Sequence, residues 1–487
     1  MESKNLLIDV DESPKKFYQT FLFALQHVLG VLVGTITAPL LIPGLPIAAS
    51  MLSAGLGTLF YIFATKKEAP VFLSSNFTYI APISSAIAVG GIANATGQPA
   101  NYMAVMMGMV IVGLTYVIIA LLIKFTGRAW INKLLPATVV GPTIMIIGLS
   151  LSFGGIKNLT MTNNGDPAAY NLMGIACGLV ALFVTSFTAH YLKKKMVGLI
   201  PFVIGMLAGY VVALLATLIG YTACGNEYFK IIDFQPFIDT FSSENISFAS
   251  FFNYKMFVPN DKEAFLFLRF EQIKQFDWAS IGQLLIIFIP ISLVSICEHI
   301  GDHKNLGNII NKDLLGKDPG ITRTLIGDGL STTIGGQLCG MANVSYGESI
   351  AIIGTTKIAS VKVLIYAAII MCVSSFITPI TVLLETIPVC VMGGITLILY
   401  GFIAMSGMRV IKQSNINFDK NKNIFIISII LITGIGGFAL KFGDPTNPLV
   451  EISPVALAMI LGVVLNVILR DKKVAKDNLS EDLKDGK

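Results

Sequence analysis

The stretch "ANVSYGESIA", from Ala342 to Ala351, places an amide, two hydroxyl-bearing residue types, a glycine and the carboxylate of Glu348 in a row between two apolar segments. A related stretch, "NFTY" at Asn76–Tyr79, lies in the first half of the chain. Inside a bilayer, non-helical backbone persists only where it lines a cavity or is buried in protein. We therefore expect short extended pieces around Asn76–Tyr79 and Asn343–Gly347 to pair, and each to lead into a half-helix whose N-terminus faces a cavity.

The composition around these stretches is that of a membrane protein. Of the 487 residues, 54% are hydrophobic and 13% are charged, and the mean hydropathy is +0.75. Soluble proteins carry about 25% charged residues. Apolar stretches of roughly 20 residues, long enough to span a bilayer, recur along the chain. The sequence therefore predicts an all-α polytopic membrane protein and argues against a soluble enzyme.

Fourteen apolar segments are predicted to cross the membrane. They are 16–38, 40–65, 70–90, 100–124, 134–155, 168–190, 196–220, 280–302, 322–340, 346–361, 363–384, 386–409, 422–441 and 450–469. The third and tenth are short and polar in their first halves, and they contain the expected extended strands.

The distribution of positive charge predicts the orientation. With the N-terminus in the cytoplasm, most of the 34 Lys and Arg residues fall on the cytoplasmic side, as the positive-inside rule requires. Residues 1–15 and 470–487 are then cytoplasmic tails, and residues 222–278 form an external loop, expected to fold as a cap or hairpin. The net charge of +5 thus reflects membrane orientation and does not indicate nucleic acid.

Four pairs of short motifs recur in the same order in the two halves. They are "LQHVLG" with "CEHIGD", "AGLGT" with "DGLST", "NFTY" with "NVSY", and "LPATVVG" with "IPVCVMG". Because seven segments per half is an odd number, the second half is predicted to be inverted relative to the first. Inverted repeats whose interrupted segments meet near the membrane midplane are typical of secondary transporters.

Few acidic residues lie within the segments, and intramembrane carboxylates are usually functional. Glu298 and Asp302 are spaced to share a helix face near the end of the eighth segment. A carboxylate accepts hydrogen bonds from ring N–H groups, and amides at a helix N-terminus donate to ring carbonyls. With Phe77 as a stacking surface, these groups suit a planar ring with alternating donors and acceptors. Burial favours the neutral form of a carboxyl, so such a group is also a natural proton carrier.

Structural readings of the same residues stay open. Glu348 can satisfy helix N-terminal amides, Asp328 is more simply a capping residue, and His27 a hydrogen-bonded bridge between elements. His299 and His303 are expected at the cytoplasmic interface. No metal-ligand spacing of the six cysteines and no phosphate-binding loop occurs, so neither a metal, a cofactor nor ATP-driven pumping is predicted.

At these motifs the chain resembles the nucleobase–ascorbate transporter (nucleobase:cation symporter-2) family, and within it the bacterial uracil permeases. The resemblance spans about Phe17 to Arg470, except the external loop. Its most specific pieces are "FLSSNFTYIAP", "EHIGDH", "NKDLLGKDPGITRTLIGDGLST", "ANVSYGESI" and "IPVCVMGGITLILYG".

The resemblance implies two inverted repeats of seven segments that form two domains. The core domain would comprise 16–124 and 280–384, and the gate domain 134–220 and 386–469. It also implies proton-coupled import at the cell (inner) membrane, with protons as the coupling ion and a homodimer formed through the gate domains.

By motif position, Glu298 and Glu348 would be the substrate carboxylates, and backbone groups of Phe77 and Gly347 would bind ring carbonyls. Gly34 would line the pocket and Tyr346 would flank it, with Asp302 as a further pocket residue. These are the predicted substrate-binding residues. Glu298, Asp302 and Glu348 are the predicted proton carriers.

Three departures from the family pattern bear on the substrate. Asp302 stands where uracil permeases tend to have a second histidine and purine-transporting members often have aspartate. The signature Glu/Gln-Asn-x-Gly becomes "ESIA" at 348–351, and the usual proline before the asparagine is Ala342. Because "YGE" matches the uracil branch, we predict uracil, with xanthine or uric acid as the alternative.

Two other classes of membrane transport protein and a membrane-embedded enzyme fit the sequence less well. A sulfate-permease-type anion transporter shares the architecture, but Glu298 and Glu348 would repel an anion. A channel is less consistent with half-helices that close a midplane site. A membrane-embedded enzyme would require a nucleophile, metal cluster or cofactor motif, and the sequence contains none of these.

Overall fold

A computed structural model describes residues 6–42, 44–89, 101–127, 129–160, 170–192, 198, 200–241, 248–260, 264–316, 319–443 and 448–469. The predicted tail 470–487 and parts of the predicted loop 222–278 lie outside the described residues. The helices are α1 Phe17–Leu40, α2 Ile47–Ala64, α3 Ile80–Ile87, α4 Tyr102–Thr126, α5 Ala129–Leu134, α6 Ala137–Thr160, α7 Leu172–Tyr191, α8 Pro201–Leu215, α9 Gln235–Phe241, α10 Phe270–Gln275, α11 Ile281–Ile310, α12 Ile321–Gln337, α13 Gly347–Thr356, α14 Val361–Ser375, α15 Thr378–Glu385, α16 Val389–Gln413, α17 Asn421–Ile435 and α18 Pro454–Ile468. The strands are β1 Leu73–Ser75, β2 Asn343–Ser345, β3 Leu440–Gly443 and β4 Pro448–Ile452.

Eight helices within the described residues are long and apolar enough to cross a membrane. They are α1, α2, α4, α6, α7, α8 with a π-helical continuation to Ala223, α11 with its preceding turn, and α16. Four further apolar helices, at Phe77–Ile87, α14, α17 and α18, are shorter. The mostly helical fold is as expected from the sequence, whereas the number of crossings stays a prediction.

Several predicted segments are not continuous helices. Segment 363–384 is divided between α14 and α15, with Pro379 in the first turn of α15, where proline lacks only an amide that would have no helical acceptor. Segments 422–441 and 450–469 run into the β3–β4 hairpin. Helix α17 ends at Ile435, before Gly436 and Gly437; Gly437 has φ +71°, a conformation that glycine adopts without a steric penalty.

Strands β1 and β2, which lie at the two polar stretches, form an antiparallel pair. Leu73 pairs with Ser345, Ser74 with Val344 and Ser75 with Asn343. The pairing of two extended pieces was expected, but the first strand lies just before Asn76–Tyr79. There Asn76 accepts a hydrogen bond from the Thr78 amide at 2.8 Å, and this cap turns Phe77–Tyr79 into a 3-10 helix. The second strand likewise precedes the predicted start of the tenth segment.

Hydroxyl groups from neighbouring helices satisfy the backbone of these buried strands. Thr58 on α2 accepts from the Leu73 amide at 2.9 Å, and Thr332 on α12 donates to the Asn343 carbonyl at 2.7 Å. Both threonines end the repeated motifs "AGLGT" and "DGLST". In a bilayer no water is available to satisfy such groups. The polar residues of α2 and α12 therefore stabilise the irregular backbone beside them.

The larger helix contacts fall into two groups. Helix α2 packs on α12 and α14, α4 on α12, and α1 on α14. Separately, α16 packs on α6 and α7, α7 on α8, and α17 on α18 and α6. Helix α11 contacts both groups, through α4 on one side and α6 and α18 on the other. The two strands lie within the first group.

The described part of the loop 222–278 docks on the first helix group. Asn253 donates to the Ser375 carbonyl at 2.6 Å and to Thr381 Oγ1 at 3.1 Å, at the break between α14 and α15. Arg269 is 3% exposed, with its guanidinium 3.4 Å from Cys339 Sγ and 5.3 Å from the centroid of the Tyr102 ring. The loop thus folds as short helices held against these helix ends.

A segment near the N-terminus, Leu7–Glu12, runs beside the connection between α13 and α14. Its backbone exchanges hydrogen bonds with that connection, from Leu7 N to Lys357 O at 2.8 Å, from Ala359 N to Ile8 O at 2.9 Å and from Val361 N to Val10 O at 3.1 Å. We call this segment the N-terminal strap. Lys312, after α11, contacts Asp11 of the strap at 3.8 Å and Glu68 at 3.3 Å.

Candidate functional site

A cavity of about 180 Å³ lies where the strands β1 and β2 face α11 and α16. That volume exceeds the roughly 10–15 Å³ that one water requires, so the cavity admits a small molecule. Its lining comprises Ser75, Asn76, Phe77, Ile144, Glu298, Asp302, Asn305, Val344, Ser345, Tyr346, Gly347, Glu348, Ala351, Phe402, Ile403, Met405, Ser406 and Arg409. Six of the seven residues predicted from the sequence to bind substrate are among them; the seventh is Gly34.

Glu298 is held in a fixed orientation by the first polar stretch. Its Oε2 accepts a hydrogen bond at 3.0 Å from Asn76 Nδ2, which also donates to Ser295 Oγ at 3.0 Å. Asn76 in turn caps the Phe77–Tyr79 helix, so one residue fixes both the carboxylate and the helix start beside it. The repeat motif "NFTY" is thus connected directly to the carboxylate of α11.

The second polar stretch ends at the start of α13. Tyr346 is the N-cap residue, Gly347 is the first helical residue and Glu348 lies in the first turn. The first amides of a helix have no acceptor within the helix, and the helix dipole favours electron-rich ligands at this end. Glu348 is 8% exposed, and its Oε1 accepts no hydrogen bond from any described residue. Since buried polar atoms are almost always paired, this oxygen is suited to accept from a ligand.

Asp302 lies on the same face of α11 as Glu298, one turn further along. It is 4% exposed, and its Oδ1 lies 3.8 Å from the position that a Cβ on Gly347 would occupy. The Asp302 carboxylate therefore lies next to the start of α13, at a distance that would also accommodate a Cβ at position 347. Arg409 on α16 lines the same cavity and is the basic residue of its lining.

Phe77 and Gly34 shape the cavity in different ways. The Phe77 ring, 3% exposed, meets the Tyr400 ring edge-on with centroids 5.5 Å apart, which connects the first polar stretch to α16. Gly34 was expected to line the pocket, but it is not a lining residue. A Cβ on Gly34 would overlap the hydroxyl end of Tyr346, so Gly34 instead makes room for Tyr346, which lines the cavity.

Three buried histidines contact residues next to the cavity and do not line it. His27 Nε2 lies 3.0 Å from Ser349 Oγ, which joins α1 to α13 as the bridging interpretation predicted. His299 and His303 are 0% and 1% exposed, so their predicted interfacial position is wrong. Both rings face neighbouring helices, since His299 contacts α12 and His303 contacts α2.

Asp328 joins α11, α12 and β2. Its Oδ2 accepts from the Ser345 amide at 3.2 Å and lies 2.7 Å from His299 Nδ1, whose other ring nitrogen is 2.9 Å from Thr324 Oγ1. Asp328 is fully buried. These contacts agree with a structural role for Asp328, which was the favoured reading of the sequence.

Replacement of Asp328 with alanine is expected to lower the free energy of unfolding by about 3 kcal/mol, because His299 and the Ser345 amide would lose their shared acceptor in a buried site. The melting temperature of the purified protein measures the effect. Asp419→Ala, at an exposed loop position, is the control and should melt like the wild type. Equal melting temperatures for the two variants would contradict the structural role.

Sequence reasoning missed several cavity residues, notably Asn76, Asn305, Ser406 and Arg409. Asn76 was noted only as part of a repeated motif, and Arg409 only as one of the cytoplasmic positive charges. A polar residue on α16 carries no local signal that it faces α11. The repeat itself was the one usable signal, because it drew attention to Asn76.

The chain is similar to known proteins over nearly its whole length. The family model Xan_ur_permease, described as a permease family, matches residues 18–442. A protein named uracil permease from Bacillus caldolyticus is 34% identical over 478 residues, which are 98% of each chain. Uracil permeases from Bacillus subtilis (strain 168) and Escherichia coli (strain K12) are 32% and 29% identical; the alignments cover 99% of both chains for the first, and 98% of this chain and 99% of the relative for the second.

Solved structures with the same fold are more distant in sequence. The transmembrane domain of the cyanobacterial bicarbonate transporter BicA gives a TM-score of 0.57 at 14% identity, over 94% of this chain and 99% of that one. The murine anion transporter Slc26a9, in an inward-facing state, gives a TM-score of 0.59 at 12% identity, over 94% of this chain and 69% of that one. At these identities the match describes a transporter fold and not a substrate.

Proposed function

The chain belongs to the permease family that the Xan_ur_permease model describes, and on that premise we propose that it imports a nucleobase, with uracil as the favoured substrate. A permease carries a solute across a membrane, so the chain is an integral membrane transporter and not an enzyme. The name of its relatives from Bacillus and Escherichia supports uracil.

The pairing of two carboxylates with two helix starts in one cavity carries the proposal. Glu298 and Glu348 would accept from the ring N–H groups of uracil, while the amides at Phe77 and Gly347 would donate to its two carbonyls. The Phe77 ring would contact the edge or face of the base. An anion would be repelled by the carboxylates, which argues against the substrate type of the structural neighbours.

We propose proton symport with alternating access as the mechanism. Glu298, Asp302 and Glu348 lie within one cavity, and three like charges so close together in a low-dielectric site favour at least one neutral, protonated carboxyl. Substrate and proton binding would then be linked. The strands and α11 provide one wall of the cavity and α6 and α16 the other, so a movement of the second helix group against the first would expose the cavity alternately to each side.

The proposed architecture has fourteen crossings in two inverted repeats, in the cell membrane, with both termini cytoplasmic. The antiparallel strands, each followed by a short helix and each supported by a threonine from the preceding helix, support the inverted repeat. The two groups of helix contacts support a core of 16–124 with 280–384 and a gate of 134–220 with 386–469. We further propose a homodimer formed through the gate.

Asp302 favours a second candidate, a xanthine or uric acid symporter. Its carboxylate reaches the start of α13 and would add an acceptor next to Gly347. A purine dione or trione offers more ring N–H groups than uracil does. Uracil has fewer ring N–H donors than the cavity has carboxylates, so both uracil and the purine should be tested.

The test is uptake of labelled uracil by proteoliposomes, with and without an inward proton gradient, in competition with unlabelled xanthine. Uracil uptake that depends on the gradient and that xanthine leaves unchanged is expected. Accumulation of labelled xanthine without uracil uptake would overturn the substrate assignment. Uracil uptake that is indifferent to the gradient would overturn proton symport.

A further inference from the structure

Arg409 lies on an open side of the candidate substrate cavity. Helix α16 lines the cavity with Phe402, Met405, Ser406 and Arg409, and their spacing of three or four residues places them on one helix face. Phe402 and Met405 are 50% and 57% exposed, and Arg409 is exposed as well. The same face of α16 therefore lines the cavity and meets the surroundings, so the cavity is open along this helix.

Asp302, on the opposite wall, is a buried carboxylate without a partner. It lines the cavity from α11, and its carboxylate forms no hydrogen bond or ion pair with any residue that the structure describes. The neighbouring Glu298 differs, because Asn76 donates a hydrogen bond to it. A carboxylate that is withdrawn from water is costly unless a cation or a hydrogen-bond donor compensates its charge. Asp302 therefore lacks a compensating group in this arrangement of the helices.

Arg409 is the cation that the cavity lining offers to Asp302. Its guanidinium attracts the Asp302 carboxylate electrostatically, although the two do not form a direct ion pair. An arginine keeps its charge in proteins and can donate to both oxygens of a carboxylate at once. The attraction between opposite charges grows as their distance falls, so an approach of α16 to α11 would favour a direct pair.

The ends of the two helices are joined by a weak polar contact. Asn308 Nδ2 on α11 donates to Gln413 Oε1 on α16 at 3.4 Å, and both side chains are exposed. A hydrogen bond of this length is at the long end of the range and contributes little. This contact therefore does not fix the spacing between α11 and α16 beside Arg409.

We propose that Arg409 is a gating residue, which pairs with Asp302 when α16 moves toward α11 and so closes the open side of the cavity. In the closed state the guanidinium would cover the mouth of the cavity and compensate the buried carboxylate. The two residues lie on different walls, so their pair would join the moving helix group to α11. This inference rests on the alternating access proposed above, and it does not depend on which nucleobase is carried.

The test measures how fast a maleimide labels a cysteine at the mouth of the cavity, in purified protein without nucleobase. Ser406→Cys is the reporter, because Ser406 lines the cavity one turn before Arg409. The reporter protein also carries Cys224→Ser and Cys372→Ser, because these are the native cysteines that are not buried.

Removal of either charge should leave the gate open. Arg409→Gln and Asp302→Asn should each speed labelling several-fold relative to the reporter protein. Lys412→Gln removes an exposed charge three residues further along α16, at a position that does not line the cavity. This control should label at the rate of the reporter protein.

A direct effect of the charges on the thiol has a different signature. Loss of a nearby cation disfavours the reactive thiolate and slows labelling, whereas loss of a nearby anion speeds it. Arg409→Gln and Asp302→Asn would then change the rate in opposite directions, while an open gate speeds labelling in both. Opposite changes, or rates equal to that of Lys412→Gln, would overturn the proposal.

Two further variants test the pair itself. The charge swap Asp302→Arg with Arg409→Asp should return labelling toward the rate of the reporter protein. If the swapped protein does not fold, Arg409→Lys decides, because it keeps the cation and should label more slowly than Arg409→Gln. Equal rates for Arg409→Lys and Arg409→Gln would overturn the role of the charge.

Uptake by proteoliposomes separates this inference from the proposed function. Arg409→Gln should lower the uptake of labelled uracil by an order of magnitude, and normal uptake would overturn the gate. Absence of uracil uptake by the wild type would contradict the proposed substrate instead. The labelling rates would then still decide whether Arg409 and Asp302 close the cavity.

Discussion

Replacement of Glu298 with glutamine is expected to weaken uracil binding by about a hundredfold while the protein stays folded. The glutamine oxygen can still accept from Asn76 Nδ2, which now bonds to Glu298 at 3.0 Å. Its NH₂ group then faces the cavity, so a donor replaces an acceptor where a ring N–H would bind. Loss of a hydrogen bond to a charged group is worth roughly 1.5–3 kcal/mol, which corresponds to that change in affinity.

Equilibrium binding of labelled uracil in detergent measures this effect separately from transport. Glu271→Gln, at an exposed carboxylate on α10 in the loop 222–278, is the matched control and should bind like the wild type. The melting temperature of Glu298→Gln should remain close to that of the control. Near-normal uracil affinity in a folded Glu298→Gln protein would remove Glu298 from the site.

Replacement of Gly34 with alanine is expected to abolish uptake, although Gly34 does not line the cavity. The added Cβ would overlap the Tyr346 hydroxyl. Helix α1 has little freedom to retreat, because Thr35 Oγ1 lies 2.7 Å from Ser74 Oγ and the Thr35 carbonyl accepts from Ser75 at 3.0 Å. The displacement therefore falls on Tyr346 and moves the start of α13. Overpacking of this kind destabilises by about 1–3 kcal/mol.

Uptake in proteoliposomes and the melting temperature together test this steric argument. In a Tyr346→Ala background, Gly34→Ala should cause no further fall in the melting temperature, because the ring that the added Cβ would overlap is absent. Gly154→Ala, on α6 with no atom within 4 Å of the added Cβ, should behave like the wild type. Normal uptake by Gly34→Ala would show that Tyr346 moves freely and is not a fixed wall.

The two paired strands could be expected from the sequence because polar residues there interrupt apolar, membrane-compatible segments. Asn343, Ser345 and Glu348 are costly inside a bilayer unless they serve buried backbone or a ligand. The exact position of β1 was less accessible. Leu73 is apolar, as residues of membrane helices are, so the sequence alone does not distinguish this strand from a helix. Its position follows from its pairing with Ser345.

Other features depend on tertiary contacts that leave no local pattern. Residues such as Phe442 and Val450 in the β3–β4 hairpin are apolar, so a short strand there resembles a helix end by periodicity. The position of Arg409 in the lining of the candidate site depends on how α16 packs on α6 and α11. The burial of His299 and His303 depends on how α12 and α2 pack against α11, which leaves no local pattern in the sequence.

The N-terminal strap has a consequence for how the protein is made. Glu12 and its partner Ser360 are 348 residues apart in the chain, so the strap emerges from the ribosome long before the backbone to which it bonds. At roughly 5–20 residues per second, that interval is on the order of tens of seconds. During this time residues 7–12 lack the backbone partners of the finished fold and can be reached by proteases or chaperones. These hydrogen bonds form only after α13 has been synthesised.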